Sequence, residues 1–266
     1  MITGKRIVIK LGTSTLTHPS GKLNLHRMEK IVRAISDIQG AGNEIIVVTS
    51  AAISVGTAKM GLAERPKELK YKMAMAAVGQ ARIMHIYDTL FSEYNRTVAQ
   101  ILLTGDNVED ETDSRHLSET FQALLSMGVI PIVNENDSVS SLEIESGRHK
   151  VLGDNDTLSA IVAKLCNADL LILMTDIDGL YDADPRKNPD AKLISEVNEI
   201  TPEIAAMAGG AGTVHGTGGM ATKISAAKIA LEAGFEMVIT NSVDVENLYR
   251  IAEDKPVGTR FITVRE

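Results

Sequence analysis

The chain has 266 residues, 44% hydrophobic and 23% charged, and its 35 acidic and 27 basic residues give a formal net charge of −8. That length suits one large α/β domain or two small ones, and such a core needs no covalent staple. The acidic balance argues against a nucleic-acid surface, whose affinity rests on clustered Lys and Arg facing phosphate.

The single cysteine, Cys166, cannot form an internal disulfide and suits a reducing compartment. It sits in an apolar stretch and reads as a core residue. Residues 1–16 hold only a short apolar run broken by Lys10, so no signal peptide is expected and the protein is expected in the cytoplasm. No run reaches the roughly 18 apolar residues of a membrane span, so no membrane partner is expected.

In chain order, residues 5–11 (KRIVIKL) read as a buried strand, with Gly12-Thr13-Ser14 directly after it. Residues 24–39 carry apolar side chains at helical spacing, stopped by Gly40 and Gly42. A second buried strand is expected at 44–49, and Ser50 opens a small-residue helix start. The Met-rich stretch 68–94 predicts a long helix with a break at Gly79, and hints at a subunit interface. Strands at 97–103 and 129–134 flank a helix at 114–127. Alternation over 141–152, turning at Ser146-Gly147, predicts a hairpin. A helix at 157–167, a strand at 170–175, a short strand at 192–197 and a helix at 202–207 follow. A Gly-rich loop at 209–219 leads to a helix at 221–233. A strand at 236–240, a helix at 245–253 and a strand at 260–264 close the pattern. About eight apolar strands alternating with helices predict a mostly parallel sheet covered on both faces, in one domain over 1–266.

The polar residues of interest follow strands: Lys10 to Ser14, Ser50, Asn134 to Asp137 and Thr175 to Asp178. The carboxyl ends of parallel strands form the usual rim of an active site. Gly12 after Lys10 lets the backbone approach a phosphate, although a solvated lysine before an ordinary turn would read the same. No GxGxxG follows this strand. The stretch 215–223 (HGTGGMATK) is glycine-dense and enters a helix, where free N–H groups bind anions. It is not a P-loop. Its Lys223 opposes the helix dipole, a conflict that a phosphate ligand resolves. Asp154-Asn155-Asp156 holds more polar groups than the helix cap it would otherwise be. The acidic turn 176–184 fails the calcium-loop pattern, with Gly at its fourth position and Lys187 at its twelfth. The six His show no metal-ligand spacing, and GxSxG is absent.

Taken together, KLGTS at 10–14, TSAAISVG at 49–56, AVGQ at 77–80, NEND at 134–137, GDNDTLSA at 153–160, TDIDGLYDADPR at 175–186, GTGGMATK at 216–223 and VGT at 257–259 resemble the glutamate 5-kinases of the amino acid kinase superfamily. The motifs fall in order across nearly the whole chain. The resemblance implies a three-layer αβα sandwich and the conversion of ATP and L-glutamate to ADP and L-glutamyl 5-phosphate, the first step of proline synthesis. It further implies Mg2+, inhibition by proline and a homo-oligomer. By matching motifs, Ser50, Asp137 and Asn155 would hold glutamate, with Asn134 and Asp154 supporting them. Gly12, Thr175, Asp176, Thr217, Gly218, Gly219, Met220, Ala221, Thr222 and Lys223 would hold ATP. Lys10 and Lys223 would grip the transferring phosphoryl group, and Asp156 would orient both.

The chain departs from the family at Ala51, where TSGAI is usual. If that position demands positive φ, Ala is strained by roughly 1 kcal/mol or more. Many members also carry a C-terminal PUA domain, which this chain is expected to lack. The alternatives are an aspartate or acetylglutamate kinase on the same fold and a catalytically silent amino-acid sensor. The joint presence of Lys10, Asp156 and Lys223 speaks against the sensor.

Overall fold

The apolar runs become eight strands: β1 (Arg6–Leu11), β2 (Glu44–Val48), β3 (Val98–Leu103), β4 (Ile130–Glu135), β5 (Leu170–Thr175), β6 (Glu196–Val197), β7 (Glu236–Asn241) and β8 (Thr259–Phe261). These come from a computed structural model that describes residues 1–139, 154–207 and 219–263. The strands form one sheet in the order β3-β4-β2-β1-β5-β7-β8-β6. Pairing is parallel except between β7 and β8. β1 is central, with β2 on one side and β5 on the other.

The helices are α1 (Thr13–Leu16), α2 (Leu25–Gly40), α3 (Ala52–Lys59), α4 (Leu69–Ser92), α5 (Gly105–Glu109), α6 (Glu111–Ser126), α7 (Asn155–Leu165), α8 (Pro202–Met207), α9 (Met220–Ala233) and α10 (Glu246–Ala252). The two-residue period of β1 sorts its side chains between two cores. Ile7, Ile9 and Leu11 pack with Ile31 and Ile35 of α2, Val55 of α3, and Ile83 and Tyr87 of α4. Val8 faces the other way, into a core with Phe121 of α6, Leu158 of α7 and Ala226 of α9. These two layers on either side of the sheet make the αβα sandwich that the resemblance implies. Lys10, two residues after Val8, falls on the second face. The strand period alone therefore aims its amine at α7 and α9.

Cys166 lies in this second core, where burial pushes its thiol up to about 12. It is a packing residue, as expected.

Several expected boundaries change. α4 runs unbroken through Gly79, because the glycine serves a helix crossing: a Cβ there would overlap the Ala52 carbonyl oxygen and lie 2.7 Å from the Gly56 nitrogen. α6 starts at Glu111 because Asp110 Oδ1 accepts from the backbone N–H groups of Thr112 and Asp113. The expected strand at 192–197 keeps only Glu196–Val197. Its first half is held instead by the acidic turn, through a bridge between Tyr181 and Leu193 and an Ile194 N–H donated to the Leu180 carbonyl. The final strand, expected at 260–264, is Thr259–Phe261, and position 264 lies outside the described residues. Both short helices, α1 and α5, are additions to the expected pattern. The hairpin expected at 141–152 and all of the Gly-rich loop except Gly219 lie outside the described residues.

Candidate active site

The first turn of α7 is the hinge of the site. Asp154 is its N-cap: Oδ1 accepts from the N–H groups of Asp156 at 2.7 Å and Thr157 at 3.0 Å, and Oδ2 accepts from the Thr157 hydroxyl at 3.0 Å. This cap fixes the two residues that follow. Successive helical side chains diverge by about 100°, so Asn155 and Asp156 serve two different clusters.

Asp156 meets the lysines. Lys10 Nζ lies 2.6 Å from Oδ1, and Lys223 Nζ lies 3.1 Å from Oδ2. The Thr222 hydroxyl lies 2.9 Å from Oδ2 and 2.8 Å from the Gly219 carbonyl oxygen, so its one proton serves either. Lys10, Asp156 and Lys223 are 8, 1 and 5% exposed. Burial alone raises the Asp156 carboxyl, but the ammonium groups of Lys10 and Lys223, with the Thr222 hydroxyl, hold it well below the ordinary carboxylate range. It is ionised at neutral pH. Two ammoniums against one carboxylate leave one net positive charge in a nearly dry place. That arrangement is suited to an anion, because buried charge seeks its opposite.

Next to this cluster the backbone is open. A Cβ on Gly12 would stand 3.4 Å from Lys10 Nζ and 3.7 Å from the Met174 carbonyl oxygen, so Gly12 leaves the approach to the amine clear. The register Leu11 to Met174 sets Gly12 level with Thr175. The N-cap of α9 is Gly219, which offers no side-chain cap, so among the described residues no side chain caps the first N–H groups of that helix, and they suit an anion.

Asn155 turns the other way. Its Nδ2 lies 2.9 Å from the Thr49 carbonyl oxygen, 2.7 Å from Ser50 Oγ and 3.2 Å from Asn134 Oδ1. Asn134 Nδ2 in turn donates to Gln80 Oε1 at 2.9 Å. Thr49 is further tied by a 3.0 Å hydrogen bond between its hydroxyl and Tyr87. Burial raises the Tyr87 phenol more than the Thr49 bond lowers it, so the ring stays neutral. Ala51, just before α3, sits at φ 78° and ψ 6°. The position does demand positive φ, and the chain places Ala there.

The sequence matches the amino acid kinase family over residues 5–241. It is 52% identical over 258 residues to the glutamate 5-kinase of Clostridium perfringens, covering 97% of this chain and 95% of that protein. The chain belongs to the amino acid kinase family, among the glutamate 5-kinases. The glutamate 5-kinase of Carboxydothermus hydrogenoformans is also 52% identical over 258 residues, with 97% of this chain and 68% of that protein covered. X-ray structures of isopentenyl phosphate kinase share the fold, with a TM-score of 0.67 at 18% identity over 96% of this chain and 99% of that one.

Within this amino acid kinase chain, the structure joins Lys10, Asp156 and Lys223 in one cluster and Ser50, Asn134 and Asn155 in another. Asp137 lines a cavity of about 260 Å3 with Ala52, Gln80, Gln100 and Glu135. The described contacts of the Asp154 side chain all belong to the helix cap. Thr175 donates its hydroxyl to Asp176 Oδ1 at 3.1 Å. Met220 and Ala221 open α9, while Thr217 and Gly218 lie outside the described residues. The VGT motif proves to be scaffold: Thr259 Oγ1 accepts from the Leu180 N–H and donates to the Ile194 carbonyl, tying β8 to the acidic turn. Sequence reading missed Gln80, although it ends the AVGQ motif. It also missed the Thr49 carbonyl, which carries no side-chain signal.

Proposed function

We propose that this protein transfers the terminal phosphoryl group of ATP to the side-chain carboxylate of L-glutamate, giving ADP and L-glutamyl 5-phosphate at the head of proline biosynthesis. The observation that carries this reading is the Lys10–Asp156–Lys223 cluster, joined through one helix start to the amide and hydroxyl group around Asn155. The acceptor carboxylate, with an ordinary pKa of about 4.3, is already a nucleophile at neutral pH. One of its oxygens forms a bond to the γ-phosphorus, the bond to the β–γ bridging oxygen breaks, and that electron pair leaves with ADP. No general base is required. The difficulty is holding an anion against a polyanion while charge spreads over the equatorial oxygens.

Lys10 and Lys223 answer that difficulty. Asp156 sits between them, each oxygen facing one amine, so the acid sets their spacing and keeps them from splaying apart. The open approach at Gly12 and the uncapped start of α9 suit phosphate oxygens. Ser50, Asn134, Asp137 and Asn155 supply donors and acceptors for the amino acid. Thr175, Asp176 and the 217–223 segment are assigned to the nucleotide.

Mg2+ fits as an ion carried by the nucleotide. Among the described residues no three His, Cys, Asp or Glu side chains stand together as a metal site, and Asp156 is engaged by both lysines. The ion supplies charge neutralisation on the phosphates. We further assign a single kinase domain over 1–266, feedback inhibition by proline, a cytoplasmic location and a homo-oligomer. The half-exposed Met60, Leu62 and Tyr71 around the α3–α4 connection support the last. Among the described residues no helix is long and apolar enough to cross a membrane.

The test is ATP- and Mg2+-dependent trapping of glutamyl phosphate as its hydroxamate, with and without proline, and with aspartate and acetylglutamate in parallel. Product from glutamate supports the reading. Product only from another acceptor, or none, overturns it.

A further inference from the structure

Three side-chain amides form a chain whose orientation is set by one backbone atom. The Thr49 carbonyl oxygen can only accept, so the Asn155 atom 2.9 Å away is the nitrogen. That nitrogen lies 3.2 Å from the Asn134 side chain, so the facing atom there is Oδ1. Asn134 therefore turns Nδ2 toward Gln80, 2.9 Å away, and Gln80 must face it with Oε1. The chain ends in Gln80 Nε2. This donor is buried and meets no acceptor among the described residues, although buried donors are rarely left unpaired. Gln80 lines the 260 Å3 cavity that Asp137 also lines. A residue that lines a cavity thus carries a buried amide donor that is missing an acceptor, and a carboxylate oxygen is the strongest one an amino acid brings.

We propose that Gln80 holds the acceptor substrate: Nε2 donates to a carboxylate oxygen of the bound amino acid, while Oε1, acting through Asn134, fixes the orientation of Asn155. This rests on reading the site as one for an amino-acid carboxylate. Gln80 is thus a binding residue by one atom and a positioning residue by the other. Its place is set by α4 crossing close over α3 at Gly79, the residue before it.

The test is steady-state kinetics of the wild type, Gln80→Met and Gln80→Glu, with glutamate and ATP varied separately and folding followed by thermal melts. Gln80→Met removes both atoms: the KM for glutamate rises tenfold or more and kcat falls, while the KM for ATP stays within twofold. Gln80→Glu keeps an oxygen for Asn134 but sets a like charge against the substrate carboxylate. Its KM for glutamate rises at least tenfold with kcat within threefold. A glutamate KM within twofold of wild type in folded Gln80→Met, or an equal rise in the KM for ATP, overturns the proposal. If Gln80→Met does not fold, an unchanged glutamate KM in Gln80→Glu overturns it alone. A wild type that turns over glutamate beside unaffected Gln80 variants sinks only this inference. A wild type inert toward glutamate sinks the underlying reading with it.

Discussion

The backbone nitrogen of Gly56 stands 2.7 Å from where a Cβ on Gly79 would be, so α3 and α4 touch backbone to backbone. The contact brings Gln80 beside Asn134 and so shapes the amino-acid end of the site. Gly79→Ala forces the helices apart, an overpacking that costs about 1–3 kcal/mol or more. We expect a fall of that size in urea-unfolding stability together with weakened glutamate binding. A variant within about 0.5 kcal/mol of wild type, well below that overpacking range, would show that the helices do not meet this way.

Ala51 holds a left-handed conformation that glycine adopts freely. Ala51→Gly is expected to stabilise the fold by about 1 kcal/mol, the order of the strain relieved, offset in part by the greater freedom of glycine in the unfolded chain. Its kcat stays within a fewfold, because no side-chain contact to the site is lost. A urea midpoint that moves down, or a large gain in kcat, contradicts this.

Lys223 faces Asp156 from α9, opposite Lys10. Lys223→Met keeps the aliphatic stem but removes the charge and leaves Asp156 paired with Lys10 alone. Loss of one preorganised charge at a transferring phosphoryl group lowers kcat by about 10²–10³-fold. We expect a normal circular dichroism spectrum with that loss, and a KM for glutamate changed far less than kcat. Near wild-type kcat would remove Lys223 from the phosphoryl grip.

Asp156 is held ionised against burial by its two lysines, so its folded pKa lies below the unfolded one. The stability it contributes is fully present above the unfolded value of about 3.9 and fades as pH falls below it. The wild type should exceed Asp156→Asn in stability at pH 7, and the gap should narrow at about pH 3.5, below that unfolded pKa. Urea titrations at both pH values measure it, and a gap that does not narrow refutes the sign. No ionisation of Asp156 should appear in the rate profile above pH 5, about one unit above that pKa.

Much of this was legible because local rules act on neighbouring residues. The apolar runs at Arg6–Leu11, Glu44–Val48 and Leu170–Thr175 specify strands wherever they pack, and the helical spacing of α2 specifies its buried face. Asp154-Asn155-Asp156 declared a cap with two polar residues to spare. Gly79 misled, because a glycine that breaks a helix and one that admits another helix look alike in sequence. The strand expected at 192–197 shrank to Glu196–Val197 for a related reason: Leu193 and Ile194 are claimed by the turn at Leu180 and Tyr181.

By itself the sequence determined the alternating α/β pattern, the family and the residue types that phosphoryl transfer needs. The tertiary structure alone decided that Lys10 and Lys223, 213 positions apart, flank one carboxylate. It alone decided that Gln80 joins the amides of Asn134 and Asn155. Such contacts depend on strand order and helix crossing, which close long loops around a shared core. No local propensity encodes those distances.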